Sequence, residues 1–252
     1  MQERKNIYFI SDLHFGVQGR DSSFERERKA VEFLQTIEED ALQIFLLGDI
    51  FDFWFEYKNV VPKGFVRFFG QLAKMTDKGI KVDFFCGNHD LWQRDYFTKE
   101  MNITLHREKI KEFVFDNKTF LLGHGDRLDK KEYTYLFIRN CIFANPVCIA
   151  IFSLLPPRFG FWLARLWSKS SRCSHSKTDL KSLGKQESMY KFCKQYLEKR
   201  NIDYFIFGHR HIIQKERVGE NSWYINTGSW LNEPCYAKWD GEELSLHIVE
   251  AL

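Results

Sequence analysis

Asp12 and His14 stand two residues apart near the N-terminus, and four further groups follow in order: Gly48-Asp49, Gly87-Asn88-His89-Asp90, Gly123-His124 and Gly208-His209-Arg210-His211. Each comes directly after a short apolar run. Two divalent ions held about 4 Å apart need a carboxylate to bridge them, with neutral imidazole and amide groups completing the spheres so that charge does not accumulate. Asp, Asn and His are the residue types present. Asp12 and His14, at a strand end, can point the same way toward one ion. Asp49 is the natural bridge, Asn88 and His124 come from the next two strand ends, and His209 and His211 share a side while leaning to different ions. Together they make a two-ion centre with room for water, the chemistry of phosphoester hydrolysis. A lone Asp-x-His is more often surface than site and Gly-Asp is a common turn. The reading rests on all the groups occurring in order, each behind a buried-strand pattern.

The elements that must carry these groups are legible as apolar or β-branched runs at Ile7 to Ile10, Ile44 to Leu47, Val82 to Cys86, Phe120 to Leu122 and Tyr204 to Phe207. Runs of this kind suit strands buried on both faces. Ser22-Ser23-Phe24-Glu25 opens a helix as a capping box, continued by Val31, Leu34, Ile37 and Ala41. A second helix around Phe65, Phe68, Leu72 and Met75 ends at Gly79. Strand-helix-strand alternation predicts a layered α/β fold with parallel pairs, the motifs lying at strand ends. After His124 the alternation stops. Tyr133 to Trp167 reads as mostly helical and apolar, broken at Asn145-Pro146 and Pro156-Pro157, and a basic serine-rich stretch, Ser168 to Lys185, follows. A helix with Met189, Phe192, Tyr196 and Leu197 leads back to the core at Ile202. Trp223 to Asn226 and Leu244 to Val249 read as strands, with Thr227-Gly228-Ser229 as a turn supporting the His209 and His211 loop. The expected division is a catalytic core of residues 1–132 and 186–252 and an insertion of residues 133–185.

A chain of 252 residues can bury a large core, and a formal charge of +3 is too small and dispersed to argue for nucleic acid. The six cysteines show no C-x-x-C spacing and Met1 to Asn6 do not resemble a signal peptide, so reduced thiols in the cytoplasm are expected. No apolar stretch reaches the roughly 20 residues needed to cross a bilayer. There is no G-x-S-x-G elbow, phosphate-binding P-loop or dinucleotide fingerprint.

The motif series resembles the calcineurin-like metallophosphoesterase superfamily, whose pattern is D-x-H, G-D-x-x-D, G-N-H-D/E, G-H and G-H-x-H. The resemblance runs from Ile7 to about Trp230, apart from the insertion. It implies an αββα sandwich, two mixed β-sheets flanked by helices, here with an inserted apolar helical cap. It also implies that Asp12, His14, Asp49 and His211 bind one ion and Asp49, Asn88, His124 and His209 the other. Manganese is the metal expected of a bacterial member, although such ligands do not by themselves select it over iron or zinc. On the same resemblance a hydroxide activated by the ions attacks phosphorus, His89 protonates the departing oxygen, and Asp52 orients that imidazole.

The substrate must be read from what is added to the core. The insertion carries Phe137, Ile138, Ile142, Phe143, Ile149, Ile151, Phe152, Leu154, Leu155, Phe159, Phe161, Trp162, Leu163, Leu166 and Trp167. That apolar surface suits packing on the core or a second subunit, a groove for acyl chains, or a membrane surface with Arg158, Arg165, Lys169 and Arg172 near headgroups. Asp12-Leu13-His14, Gly48-Asp49-Ile50-Phe51-Asp52, His124-Gly125-Asp126 and the placement of the insertion are similar to the UDP-2,3-diacylglucosamine pyrophosphatases of lipid A biosynthesis. Asn145-Pro146-Val147-Cys148 and Trp167-Ser168-Lys169-Ser170-Ser171-Arg172 resemble their Bacteroidetes-type branch. The resemblance implies hydrolysis to UMP and a diacylglucosamine 1-phosphate by a peripheral protein on the cytoplasmic face of the inner membrane. Asn88 and His89 would contact substrate, as would Ser170, Arg172 and Lys177 at its sugar-phosphate end. His89 stands where better-known members have arginine, which bears on the grip on the phosphates and not on the metals. A nucleotide or phosphoprotein substrate gives the apolar cap nothing to bind, and a non-catalytic scaffold gives His89 and Asp52 no role.

Overall fold

The fold was analysed in a computed structural model that describes residues 4–128, 137–163 and 184–249. The apolar runs that end at the polar motifs form strands of two sheets. In the first, β1 (Asn6–Ile10), β2 (Ala41–Leu46), β3 (Lys81–Phe85) and β4 (Thr104–His106) run parallel, while β10 (Cys235–Trp239) and β11 (Leu244–Ile248) extend the other side of β1 antiparallel. In the second, β5 (Lys111–Phe115), β6 (Lys118–Leu122), β7 (Tyr204–Phe207), β9 (Trp223–Thr227) and β8 (Ile213–Arg217) lie side by side in that order. The β6, β7 and β9 strands are parallel and the two edge pairings antiparallel.

Three apolar layers hold these elements. Phe9, Phe45 and Phe85 of the first sheet meet Phe120, Ile206 and Ile225 of the second. On the outer face of the first sheet, α1 (Ser23–Ile37) and α2 (Val66–Asp77) set Phe33, Leu34, Phe68, Leu72 and Met75 against Ile10, Ile44, Leu46 and Phe84. A short helix, α3 (Tyr96–Met101), adds Phe97 to that layer. On the outer face of the second sheet, Met189, Tyr190 and Cys193 pack against Phe205, Phe207 and Tyr224. The expected αββα sandwich is therefore present, and burial on both faces accounts for strands that lack alternation.

Ser22 and Glu25 form the capping box that opens α1. The N-terminus of α2 has no local side-chain cap; Glu27 of α1 accepts from the amides of Arg67 at 3.0 Å and Phe68 at 3.3 Å instead. Within the insertion a wide turn of π type (Arg139–Phe143) leads into α4 (Pro146–Leu154), with Asn145 as its N-cap, and residues 157–163 are again helical. The helix returning to the core is α5 (Ser188–Leu197). Ser170, Arg172 and Lys177 lie outside the described residues, as do residues 133–136 and 164–183 of the insertion. Among the described residues no helix is long and apolar enough to cross a membrane.

Candidate metal centre

Loops from the C-terminal ends of β1, β2, β3, β6 and β7 converge, each bringing one motif. They are stitched by main-chain hydrogen bonds. The amides of Asp12, His14 and Phe15 donate to the carbonyls of Gly48, Asp49 and Ile50 at 3.1, 3.0 and 2.9 Å, and that of Gly208 donates to His124 at 2.9 Å. Asp12, His14, Asp49, His209 and His211 all adopt left-handed backbone, with φ of 54°, 46°, 53°, 71° and 55°. Such conformations cost on the order of 1 kcal/mol each for non-glycine residues and cluster at functional sites. The approach of the loops leaves no room for a side chain at Gly87, where a Cβ would lie 2.5 Å from the Asp49 amide and overlap its carboxylate.

Asp12 Oδ1 lies 3.1 Å from His211 Nε2 and 3.6 Å from His14 Nε2, and the two imidazole nitrogens face each other at 3.2 Å. Asp49 Oδ2 lies 3.3 Å from His124 Nε2 and 3.7 Å from His14 Nε2, between the two halves of the centre. Asn88 Oδ1 is 3.1 Å from His124 Nε2. Donor atoms of Asp12, His14 and His211, and those of Asp49, His124 and His209, each fall within 4.8 Å of one another. Ligands about 2.1 Å from one ion at tetrahedral or octahedral angles stand roughly 3.0–3.4 Å apart, so the spacings fit shared cations.

The second oxygen of each carboxylate is already committed. Asp12 Oδ2 accepts from the His209 amide at 2.9 Å and from the Ser11 hydroxyl, while Asp49 Oδ1 accepts from the His89 amide at 2.9 Å. Asp12 Oδ1 is buried and has no hydrogen-bond partner among the described residues. His124 Nδ1 donates to the Leu47 carbonyl at 2.8 Å, which turns its Nε2 toward the site. Orphaned oxygen, oriented imidazoles and amide oxygen together fit a pair of divalent ions.

The charges agree. Burial alone would raise the Asp12 carboxyl, yet His14 and His211 hold it well below the usual range; burial opposes the lowering of Asp49 too, which His124 and His89 impose. Burial would likewise lower His14 and His124, but Asp12, Asp52 and Asp49 lift His14 to about 9, and Asp49 and Asp12 lift His124 to about 10. His209, beside His124, is pushed down to about 4 by burial and that like charge. In the metal-free protein, protons on His14 and His124 thus balance the carboxylates, in the place divalent ions would take.

His89 Nδ1 donates to the main-chain carbonyl of Asp52 at 2.9 Å. The Asp52 carboxylate lies 3.7 Å from His89 Nδ1 and 3.6 Å from His14 Nδ1. The pair read from the sequence is brought together, but the backbone of Asp52 orients the ring. Burial lowers His89 below its ordinary pKa. Asp90, which the sequence reading left without a role, accepts from the amides of Gly87 at 2.7 Å and Ile50 at 2.8 Å and ties two motifs together. Burial and the nearby Asp49 raise it to about 7. The Thr227 to Trp230 turn touches both loops: Ser229 Oγ and the Trp230 amide donate to the Asp12 carbonyl at 3.1 Å, and Thr227 Oγ1 donates to the Phe207 carbonyl that leads into the histidine loop at 3.4 Å. Asn226 holds the Gly208 carbonyl.

The described part of the insertion packs against residues that follow the loops of the candidate centre. Phe53, Phe55 and Trp92 follow the ligand motifs and form an aromatic platform. Trp92 Nε1 donates to the Phe143 carbonyl at 2.8 Å, Phe55 meets Phe152 at 4.7 Å between ring centroids, and Phe53 meets Phe161 at 5.5 Å. Arg139 reaches Asp126 at 3.5 Å. The outward side stays apolar: α4 has no buried residue, and Val147, Ile151, Leu154, Phe159 and Trp162 are exposed.

Two mixed sheets between helices, with Asp, Asn and His loops from five strand ends meeting at one centre, define a metallophosphoesterase. The calcineurin-like phosphoesterase profile matches residues 5–212, and the chain belongs to that family. It is 34% identical to a UDP-2,3-diacylglucosamine hydrolase of Porphyromonas gingivalis, over 98% of each chain. It is 27% identical to one of Haemophilus influenzae, over 90% of this chain and 94% of that one. Among solved structures it is similar to Yfce, a phosphoesterase from E. coli, at 14% identity and a TM-score of 0.47, covering 97% and 93% of the two chains.

Proposed function

We propose that this chain hydrolyses the pyrophosphate bond of UDP-2,3-diacylglucosamine, releasing UMP and 2,3-diacylglucosamine 1-phosphate. The observation that carries this is the seating of an apolar cap, exposed along its outer side, on the same aromatic platform that leads out of the Asp49 and His89 loops. A substrate with acyl chains at one end and a diphosphate at the other matches that juxtaposition, and so do the names of the relatives. Asp12, His14, Asp49 and His211 would hold one ion and Asp49, Asn88, His124 and His209 the second, with manganese the expected metal. Bound ions supply an acidified water and neutralise phosphate oxygens.

The chain's own groups do the rest. Asn88 and His89 face the phosphates. His89 carries its proton on Nδ1 toward Asp52, so Nε2 becomes a donor only when a substrate phosphate offsets the burial that lowers its pKa. A phosphate leaving group has low basicity and asks little of that acid. The segment with Ser170, Arg172 and Lys177 is assigned to the sugar-phosphate end of the substrate. The exposed apolar cap is assigned to the cytoplasmic face of the inner membrane, where an acylated substrate resides.

The test is release of UMP from UDP-2,3-diacylglucosamine with manganese present. Equal or better hydrolysis of UDP-glucose or cyclic nucleotides would overturn the lipid substrate. No turnover of any phosphoester would make the centre a scaffold.

A further inference from the structure

Arg26 sits in the first turns of α1, facing inward, and is fully buried. Among the described residues its guanidinium donates only to main-chain carbonyls: Nε to Leu13 at 2.6 Å, Nη2 to His14 at 2.8 Å and Val17 at 2.7 Å, and Nη1 to Asp21 at 3.0 Å. Among the described residues it makes no ion pair. Burying a guanidinium costs several kcal/mol unless its donors are used, and an apolar side chain would fill the space at lower cost. The charge is therefore retained for what it holds.

What it holds is the loop of Asp12 and His14. One side of that loop is spent: the amides of Asp12, His14 and Phe15 go to the loop after β2. Left-handed backbone at Asp12 and His14 turns the carbonyls of Leu13 and His14 away from that partner, toward α1, where Arg26 meets them. Unpaired buried carbonyls would relax the loop toward ordinary backbone and swing both side chains out of line. We propose that Arg26 is a positioning residue for the ion held by Asp12, His14 and His211, acting through the backbone of their loop. The assignment rests on the metal reading of the centre. It is selective, because Asn88, His124 and His209 stand on loops that Arg26 does not touch. Lysine cannot replace it fully, since three donors on one atom do not span the carbonyls that a planar fork reaches.

The full chain and its Arg26→Lys and Arg26→Gln variants would be stripped of metal and titrated with Mn2+, read by calorimetry and by electron paramagnetic resonance. The unsubstituted chain is expected to take two ions as a spin-coupled pair. In Arg26→Gln one ion should weaken by about 10–100-fold, the usual effect of removing a group that orients metal ligands. The other should stay within about threefold, and two equivalents should then give isolated Mn2+ signals. Arg26→Lys, which keeps the charge, should fall between, and it carries the test alone if Arg26→Gln does not fold. Wild-type affinity for both ions alongside a lower melting temperature would reduce Arg26 to a packing role and overturn the proposal. Equal weakening of both ions would overturn its selectivity. An unsubstituted chain that takes fewer than two ions would overturn the metal reading itself, before any variant is compared.

Discussion

Filling the metal centre should expel about two protons at neutral pH, and this count tests the electrostatics of the site directly. In the metal-free protein His14 is lifted to about 9 and His124 to about 10, so both imidazoles are protonated at pH 7. Asp12 and Asp49 are already ionised, and His209, held near 4, is already neutral. Ligation needs neutral imidazoles, so each of His14 and His124 must give up its proton. Across pH 6.5–8.5 both remain charged, and the affinity for the ion pair should climb roughly a hundredfold per pH unit without levelling. Calorimetric titration with Mn2+ at pH 7, in buffers of different ionisation heat, reads the count as a slope. Any deprotonation of bound water adds to it. Release of fewer than one proton at pH 7, or an affinity that levels off just above 6.5, would show imidazoles of ordinary pKa and refute the reasoning.

Three further outcomes follow from the same geometry. The metal-free protein should lose thermal stability as pH rises from 7 to 10: the raised His14 and His124 stabilise fully only below their unfolded pKa near 6.5, and the benefit disappears through about 9 and 10. Melting curves of the Mn2+-loaded protein should lack that fall. His89→Ala should lower turnover of a diphosphate substrate about tenfold, against a loss above about a thousandfold for Asp49→Ala, because only the latter removes a bridge; equal losses in kcat would make acid catalysis obligatory. Gly160 lies so close to Tyr57 that an added Cβ would overlap the phenol oxygen, so Gly160→Val should lift the cap off its platform. KM for the acylated substrate should rise severalfold while hydrolysis of bis-p-nitrophenyl phosphate is unchanged.

The motifs that converge at the candidate centre and the strands that end in them were legible because both signals are local: an apolar run, then a polar turn. The α1 capping box was legible for the same reason. What the sequence hid depends on distant partners. Residues Cys235–Trp239 are a central strand beside β1, yet five residues of alternating burial are too short to stand out. The β5–β6 hairpin had a usable signal in Asp116-Asn117, whose φ of 48° and 61° make the tight turn that such residues favour. Nothing in the sequence sets Glu27 and Arg26 apart from the other charges of their helix. Their partners, the start of α2 and the carbonyls after Asp12, are set by the fold. The pairing of Asp52 with His89 comes from the family resemblance, which does not distinguish a carboxylate from a carbonyl as the group that takes the Nδ1 proton.

The left-handed backbone at Asp12, His14, Asp49, His209 and His211 acts as a filter on the residue alphabet. Asp, Asn and His are the side-chain-bearing residues that tolerate this conformation best, and they are also ligands of suitable hardness for a divalent pair. Glutamate offers the same carboxylate with poorer tolerance of the backbone and an extra methylene. Variation at these positions is therefore confined by the torsion as well as by whatever the side chains bind, while Asn88 and His124, which stand on ordinary backbone, are free of the first constraint.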